Sequence, residues 1–300
     1  MKYLDLFSGV GGFALGITQS YENLQKLRIE DERQPKRASF RDKEGQREQL
    51  HKFSNERLSC IGFSEIDKYA TQVYKKHFPN HKNYGDITQI DETALPDFDL
   101  LVGGFPCQAF SIAGKRGGFE DTRGTLFFDI ARIIKEKQPR LLLLENVKGL
   151  LSHDQGATFT TIISTLDELG YDCQWQVLNS KNHGVPQNRE RVFIVGHLRG
   201  TSRPEVFPFR EDTKKTTVLS GQCSNTLTAR YYGGQANGTY VTESEFDAQE
   251  RIRRLTPTEC ERLQGFPDGW TSGLSYTQRY KCCGNAVTVN VIEDIINRLI

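Results

Sequence analysis

The sequence predicts a doubly wound, mostly parallel α/β sheet of the Rossmann-like kind, followed by a small irregular region. Three observations carry that expectation. Five short apolar runs fall in the first two-thirds of the 300 residues, amphipathic helical patterns lie between several of them, and the alternation stops after residue 198. Strands buried on both faces read as nearly continuous apolar runs, whereas helices read as apolar residues recurring every three or four positions. Alternation of the two places one central sheet between helical layers.

Tyr3–Phe7 is the first strand, and "DLFSGVGGFALG" (Asp5–Gly16) carries it through a glycine-rich turn into a helix. Residues 24–58 are dense in both charges with few large apolar groups, and read as a solvated insertion rather than a binding arm. Ser59–Glu65 and Phe98–Gly103 are the next strands, and Leu126–Lys137 ("LFFDIARIIKEK") is an amphipathic helix. Arg140–Glu145 and Arg191–His197 complete the strand set. Residues 199–252 hold turn-rich pieces such as "YYGGQANGTY". Helix resumes at Pro257–Gln264 and at Ala286–Leu299, the latter opened by Gly284-Asn285 and returning to the main domain.

Composition excludes more than it assigns. The net charge of +1 gives no global field for a polyanion, so any nucleic-acid surface has to come from local Lys and Arg clusters. Seven cysteines without a CxxC pair suggest neither a disulfide framework nor a metal site. The N-terminal apolar stretch contains Asp5 and no cleavage-site pattern, and no apolar run reaches the length of a membrane span. The expectation is a cytoplasmic, reduced protein in which a thiolate can act as a nucleophile.

Ligands of open α/β sheets bind beyond the carboxyl ends of the strands. In "GGFPCQAF" (103–110) an apolar run ends in two glycines, and a proline then presents Cys107 at that location. Glu145 and Asn146 end another strand in "ENVKGL", and "QNRERVF" supplies Gln187, Arg189 and Arg191. Residues two apart in a strand share a face, so Arg189 and Arg191 point the same way. The glycine turn, with Glu65 and Asp86 read at the next two strand ends, points to a nucleoside cofactor without saying which. A nicotinamide dehydrogenase would share that turn and acid, but has no need of Pro106-Cys107 with Glu145 and two arginines.

With "DLFSGVGGF", "GFPCQAFSIAGKRGGFEDTRGTLFFDIARI", "ENVKGL", "QNRERVFIVG", "RRLTPTECERLQGFPD" and "GNAVTVNVI" in this order, the chain resembles the bacterial-type DNA (cytosine-5) methyltransferases over nearly its whole length. The resemblance implies an S-adenosylmethionine-binding catalytic domain (1–198), a small target-recognition region (199–252) and a C-terminal segment (253–300). It implies Cys107 as nucleophile, Glu145 on the N3 and N4 edge of the base, Arg191 on O2 and Arg189 supporting the surroundings of the thiol. For the cofactor it implies Phe7 on the adenine, Glu65 on the ribose, Asp86 on the adenine amino group, and Pro106 beside them. Gly9, Gly11 and Asn285 would lie along the methionine portion. Gln108, Ser111, Lys115 and Arg123, in a loop closing over a flipped base, together with Thr226 and Arg230, would meet the DNA. The implied partner is double-stranded DNA bound by a monomer, with a cognate restriction endonuclease acting separately.

The region that reads sequence in this family is short here. "SNTLTARYYGGQANGTYV" (224–241) resembles the shared tail of the recognition domain, leaving 199–223 for base readout. Arg199, Arg203 and Arg210 are the expected donors to bases, and Lys214 and Lys215 are expected on phosphates. Two alternatives stay open at this point. A catalytically idle DNA-binding relative would explain the short region, though not the intact Cys107, Glu145 and Arg191. A tRNA-directed branch would carry altered residues after the cysteine, where Gln108-Ala109-Phe110-Ser111 follows the DNA pattern.

Overall fold

The computed structural model describes residues 1–33, 58–106, 126–209, 223–231, 240–244 and 250–300. Cys107, Gln108, Ser111, Lys115 and Arg123 lie outside the described residues, as do Arg210, Lys214, Lys215 and positions 34–57 of the charged insertion.

In chain order the strands are β1 (Lys2–Leu6), β2 (Ser59–Ser64), β3 (Leu100–Gly104), β4 (Leu141–Val147), β5 (Tyr171–Asn179), β6 (Gln187–Asn188), β7 (Glu190–Leu198), β8 (Ser224–Asn225), β9 (Tyr240–Ser244) and β10 (Glu250–Arg254). The α-helices are α1 (Gly12–Arg33), α2 (Lys68–His77), α3 (Leu126–Lys137), α4 (Ala157–Glu168), α5 (Pro257–Leu263), α6 (Tyr276–Asn285) and α7 (Val289–Leu299). The main sheet runs β2-β1-β3-β4-β7-β5. Its first four strands pair in parallel, and β7 is antiparallel to both neighbours. Short pairs, β6 with β8 and β9 with β10, make up the rest.

Alternating residues of the central strands feed two cores. Tyr3, Leu100, Val102, Leu141 and Leu143 pack with α1 and α7 on one face. Leu4, Leu6, Leu101, Leu142 and Leu144 pack with α3 and α4 on the other. The doubly wound expectation holds because each strand is apolar on both sides. Helix α7 buries Ile292, Ile295, Ile296 and Leu299, each contributing about 1.5–3 kcal/mol. Gly16 lets it come close, since a Cβ there would stand 2.8 Å from the Cβ of Ile292.

Three features differ from the sequence expectation. The 190–198 strand is antiparallel, and β5 beside it was not expected at all. Gln174 and Gln176 interrupt the apolar pattern of β5 because their amides grip the following chain. Gln174 accepts from the backbone N–H of Val206 (3.2 Å) and Phe207 (3.3 Å), and Gln176 both accepts from and donates to Phe209. Arg298 completes this strap, donating to the carbonyls of Val206 and Pro208 and lying 3.6 Å above the Phe209 ring. Finally, Gly284-Asn285 ends α6 rather than opening the last helix, which begins at Val289.

The strap also corrects the reading of two arginines. Arg199 pairs with Asp167 and Asp172, and Arg203 pairs with Asp172 at 3.1 Å. Both are tied to the β5 edge of the sheet instead of being free to read bases.

Asp5 is fully buried on β1, with Oδ2 3.4 Å from the Tyr74 hydroxyl and Oδ1 without a hydrogen-bond partner among the described residues. Burial, reinforced by the charge of Glu65 and only partly offset by the Tyr74 hydrogen bond, holds its carboxyl well above the usual carboxylate range. A carboxyl raised in this way stabilises the fold fully only below its unfolded value near about 4, and the contribution is lost as pH climbs towards the folded value. Asp5→Asn, which cannot titrate, is expected to flatten the decline of stability as pH rises above about 4. Urea midpoints of the two proteins that fall in parallel across that range would contradict this assignment.

Candidate active-site cleft

At the carboxyl ends of β1, β3 and β4 the structure opens a cleft of 430 Å³, within the range of about 300–1,000 Å³ that suits a small-molecule ligand. Phe7 and Gly9 line it from the turn after β1, Glu65 from the end of β2, and Gly104, Phe105 and Pro106 from the end of β3. Glu145 and Asn146 of β4, Arg189 and Arg191 before and in β7, and Asn285 of α6 complete the walls. Sequence order thus brings eight of the expected site residues together: Phe7, Gly9, Glu65, Pro106, Glu145, Arg189, Arg191 and Asn285.

One end of the cleft is ionic. Arg191 Nε lies 3.0 Å from Glu145 Oε1, with the Glu145 side chain only 12% exposed. Burial pushes the Glu145 carboxyl up, while Arg191 and then Arg189 pull it down, with a net rise. A carboxyl so placed holds its proton to a higher pH than an ordinary carboxyl does. Gly104 is needed beside it, because a Cβ there would stand 3.0 Å from Glu145 Oε2. Gly104 therefore clears space for the acid, whereas Gly103 lies against Leu6 of β1, reasons not visible in the sequence. Asn146 donates to the carbonyl of Phe105 at 2.9 Å, fixing the chain that leads to Pro106.

Arg189 is anchored on backbone, and the thiol it was expected to support, that of Cys107, lies outside the described residues. Its guanidinium is buried and donates to the carbonyls of Leu227 (2.9 Å), Gly284 (3.2 Å) and Ala286 (2.8 Å). Gln187 acts beside it, donating to Leu263 and accepting from the N–H of Leu227. Thr226 donates to the carbonyl of Asn188, so it tethers the 224–231 segment rather than facing outwards unpaired. Arg230, in the same segment, is exposed.

The other end suits a nucleoside. Phe7 (φ 53°) and Gly9 (φ 55°) turn the chain sharply, and a Cβ at Gly9 would meet no heavy atom within 4 Å. Bare backbone thus faces the cleft, as close approach of a ligand requires. Glu65 is oriented by two backbone donors, Gly9 (2.9 Å) and Asp67 (2.7 Å). These residues fit the ribose and methionine portions of S-adenosylmethionine. Two expected residues stand elsewhere. Gly11 lies under Phe78 and Tyr74, where a Cβ would be 3.0 Å from the Phe78 ring. Asp86 follows no strand of the sheet; it is exposed and caps the turn Ile87–Gln89 by accepting from Thr88.

Sequence reading missed three supports of the cleft. Lys281 and Asp67 line it and pair at 2.6 Å, and Trp270 donates its indole N–H to the carbonyl of Val10 at 2.9 Å. The only sequence signal for Lys281 was its place one helical turn before Asn285.

The family model for C-5 cytosine-specific DNA methylase matches residues 45–227 and 219–300. The Type II methyltransferase M1.ScrFI of Lactococcus lactis subsp. cremoris is 37% identical over 343 aligned positions, covering 100% of this chain and 78% of that protein. The Type II methyltransferase M.HhaI of Haemophilus parahaemolyticus is 32% identical, covering 98% and 93%. In fold, the chain is similar to Spodoptera frugiperda DNMT2, with a TM-score of 0.70 at 18% identity over 98% of this chain and 99% of that one. An Entamoeba histolytica methyltransferase is similar at a TM-score of 0.67 and 18% identity, over 100% and 97%. Among the described residues no helix is long and apolar enough to cross a membrane. The chain belongs to the C-5 cytosine-specific DNA methylases, and is an S-adenosylmethionine-dependent DNA (cytosine-5) methyltransferase of the restriction-modification type acting on double-stranded DNA.

Proposed function

We propose that methyl transfer in this chain proceeds through a covalent bond between Cys107 and C6 of a flipped-out cytosine. The observation that carries the assignment is the Glu145–Arg191 pair standing in the same cleft as Gly9 and Glu65, with Pro106, the residue before Cys107, on its wall. A stacked base cannot reach such a cleft, so the target nucleotide has to leave the duplex. C5 of cytosine is a poor nucleophile. Addition of a thiolate to C6 breaks the conjugation of the ring and turns C5 into an enamine carbon. Arg191 faces the Glu145 carboxyl, and the charge of Arg189, anchored on backbone carbonyls, acts on it from further off. Two positive charges against one carboxyl give this end of the cleft a positive potential, which favours a thiolate. Glu145, its carboxyl raised by burial, protonates N3 and holds the N4 amino group. Arg191 donates to O2 and orients the ring. S-adenosylmethionine, when bound, supplies the electrophilic methyl group. Loss of the C5 proton and departure of the Cys107 sulfur then release 5-methylcytosine.

Phe7, Glu65, Pro106, Gly9 and Asn285 hold the cofactor in this reading. The enzyme works as a monomer in the cytoplasm beside a separately acting endonuclease. Its site choice is relaxed or confined to few base pairs, since each good base contact supplies only about 1–3 kcal/mol and few readers remain. Binding that rests mainly on phosphate contacts will be sensitive to salt.

Cys107→Ser is expected to bind cofactor and DNA normally and to transfer no methyl groups above background. Glu145→Gln should keep cofactor affinity while slowing single-turnover methylation by about 10²- to 10⁴-fold, as loss of a positioned proton donor does. Cofactor affinity that collapses in both variants would refute this division of roles. A separate test concerns the strap. Because Arg199 and Arg203 are tied to Asp167 and Asp172, the double variant Arg199→Gln/Arg203→Gln should leave the methylated sequence unchanged in base-resolution mapping. A shifted or broadened site would return these arginines to the DNA interface.

A further inference from the structure

We infer that the Asp67–Lys281 ion pair receives the amino-acid end of the cofactor, with Lys281 on its carboxylate and Asp67 on its ammonium. The inference rests on the cofactor reading of the cleft and concerns charges that the reaction does not use. Six charged side chains line the cavity: Glu65, Asp67, Glu145, Arg189, Arg191 and Lys281. Four have their bonding directed elsewhere. Arg191 faces Glu145, Arg189 is turned to three backbone carbonyls, and Glu65 accepts from the N–H groups of Gly9 and Asp67. Asp67 and Lys281 remain, joined at 2.6 Å, with side chains 29% and 45% exposed.

Their geometry leaves room for a second zwitterion. Asp67 Oδ1 is fixed by the first turn of α2, accepting from Tyr69 at 2.9 Å and Ala70 at 3.1 Å, so Oδ2 stays in place whatever Lys281 does. Lys281 Nζ carries three protons and directs one to Asp67 Oδ2, leaving two for an incoming acceptor. A fixed carboxylate beside an ammonium matches an α-amino acid laid antiparallel against it, two charge-assisted contacts at once. Placement agrees as well. The N–H of Asp67 is held by Glu65, which also holds Gly9, and Lys281 sits one turn before Asn285 on α6, all five lining the cleft. The nucleoside end of the ligand carries neither charge, so only the amino-acid end offers both opposite charges to this pair.

The test compares two ligands by calorimetry on the full chain. S-adenosylhomocysteine carries the amino acid, whereas 5′-deoxy-5′-methylthioadenosine keeps the nucleoside and lacks it. Lys281→Met should weaken S-adenosylhomocysteine by about 10- to 100-fold and leave methylthioadenosine within about 2-fold, the scale of a lost charged hydrogen bond. Asp67→Asn, which preserves the helix cap, should show the same selectivity. Equal losses for both ligands, or none for either, would overturn the inference while leaving the cofactor reading intact. Wild-type protein that binds neither ligand would overturn both.

Discussion

A buried guanidinium that donates to the carbonyls of Leu227, Gly284 and Ala286 makes Arg189 the joint on which the cleft depends. An arginine is not taken out of water without compensation, and three carbonyls from two distant segments provide it. The result is that the start of β7, the recognition tail and the end of α6 are fixed relative to one another. Arg191, two residues on, is then aimed at Glu145, and Asn285 is delivered to the same cavity. Gly284 shows how tight the joint is, because a Cβ there would stand 2.2 Å from the carbonyl carbon of Thr228.

The two ends of the cleft follow from different physics. At the Glu145 end, burial raises the carboxyl and two arginines partly oppose the rise, leaving an acid that keeps its proton to higher pH. At the cofactor end, bare backbone at Gly9 and an acid oriented by backbone N–H groups make a polar cradle with little side-chain bulk. Trp270, hydrogen-bonded to Val10 and stacked 3.5 Å from His77, braces that cradle from the C-terminal part of the chain. Catalysis and cofactor binding thus share one cavity but draw on separate supports.

Strand periodicity made the central sheet legible, since β1 to β4 and β7 are apolar on both faces. It failed at β5, where Gln174 and Gln176 serve the strap at 204–209 instead of the core. Chain direction was equally invisible: nothing in the apolar run at 190–198 says that it runs antiparallel. Motif spacing brought Phe7, Glu65, Glu145 and Arg191 to one site. Long-range hydrogen bonds were beyond it: Arg189 was expected beside the thiol and Thr226 on DNA, and both bond to backbone carbonyls. Arg199 and Arg203 looked like base readers because their acids, Asp167 and Asp172, lie about thirty positions earlier in the chain. Asp86 was read at the strand end after that of Glu65, whereas it follows no strand of the sheet and caps the turn Ile87–Gln89.

Trapping on DNA that carries 5-fluorocytosine tests the covalent mechanism most directly. Fluorine at C5 cannot depart as a proton, so the enzyme should remain bonded to the base after methyl transfer. The account predicts a stable adduct that forms only with S-adenosylmethionine present, and a single modified peptide containing Cys107. An adduct mapped to Cys282 or any other cysteine, or full methylation of unsubstituted DNA with no adduct on the fluorinated strand, would contradict it.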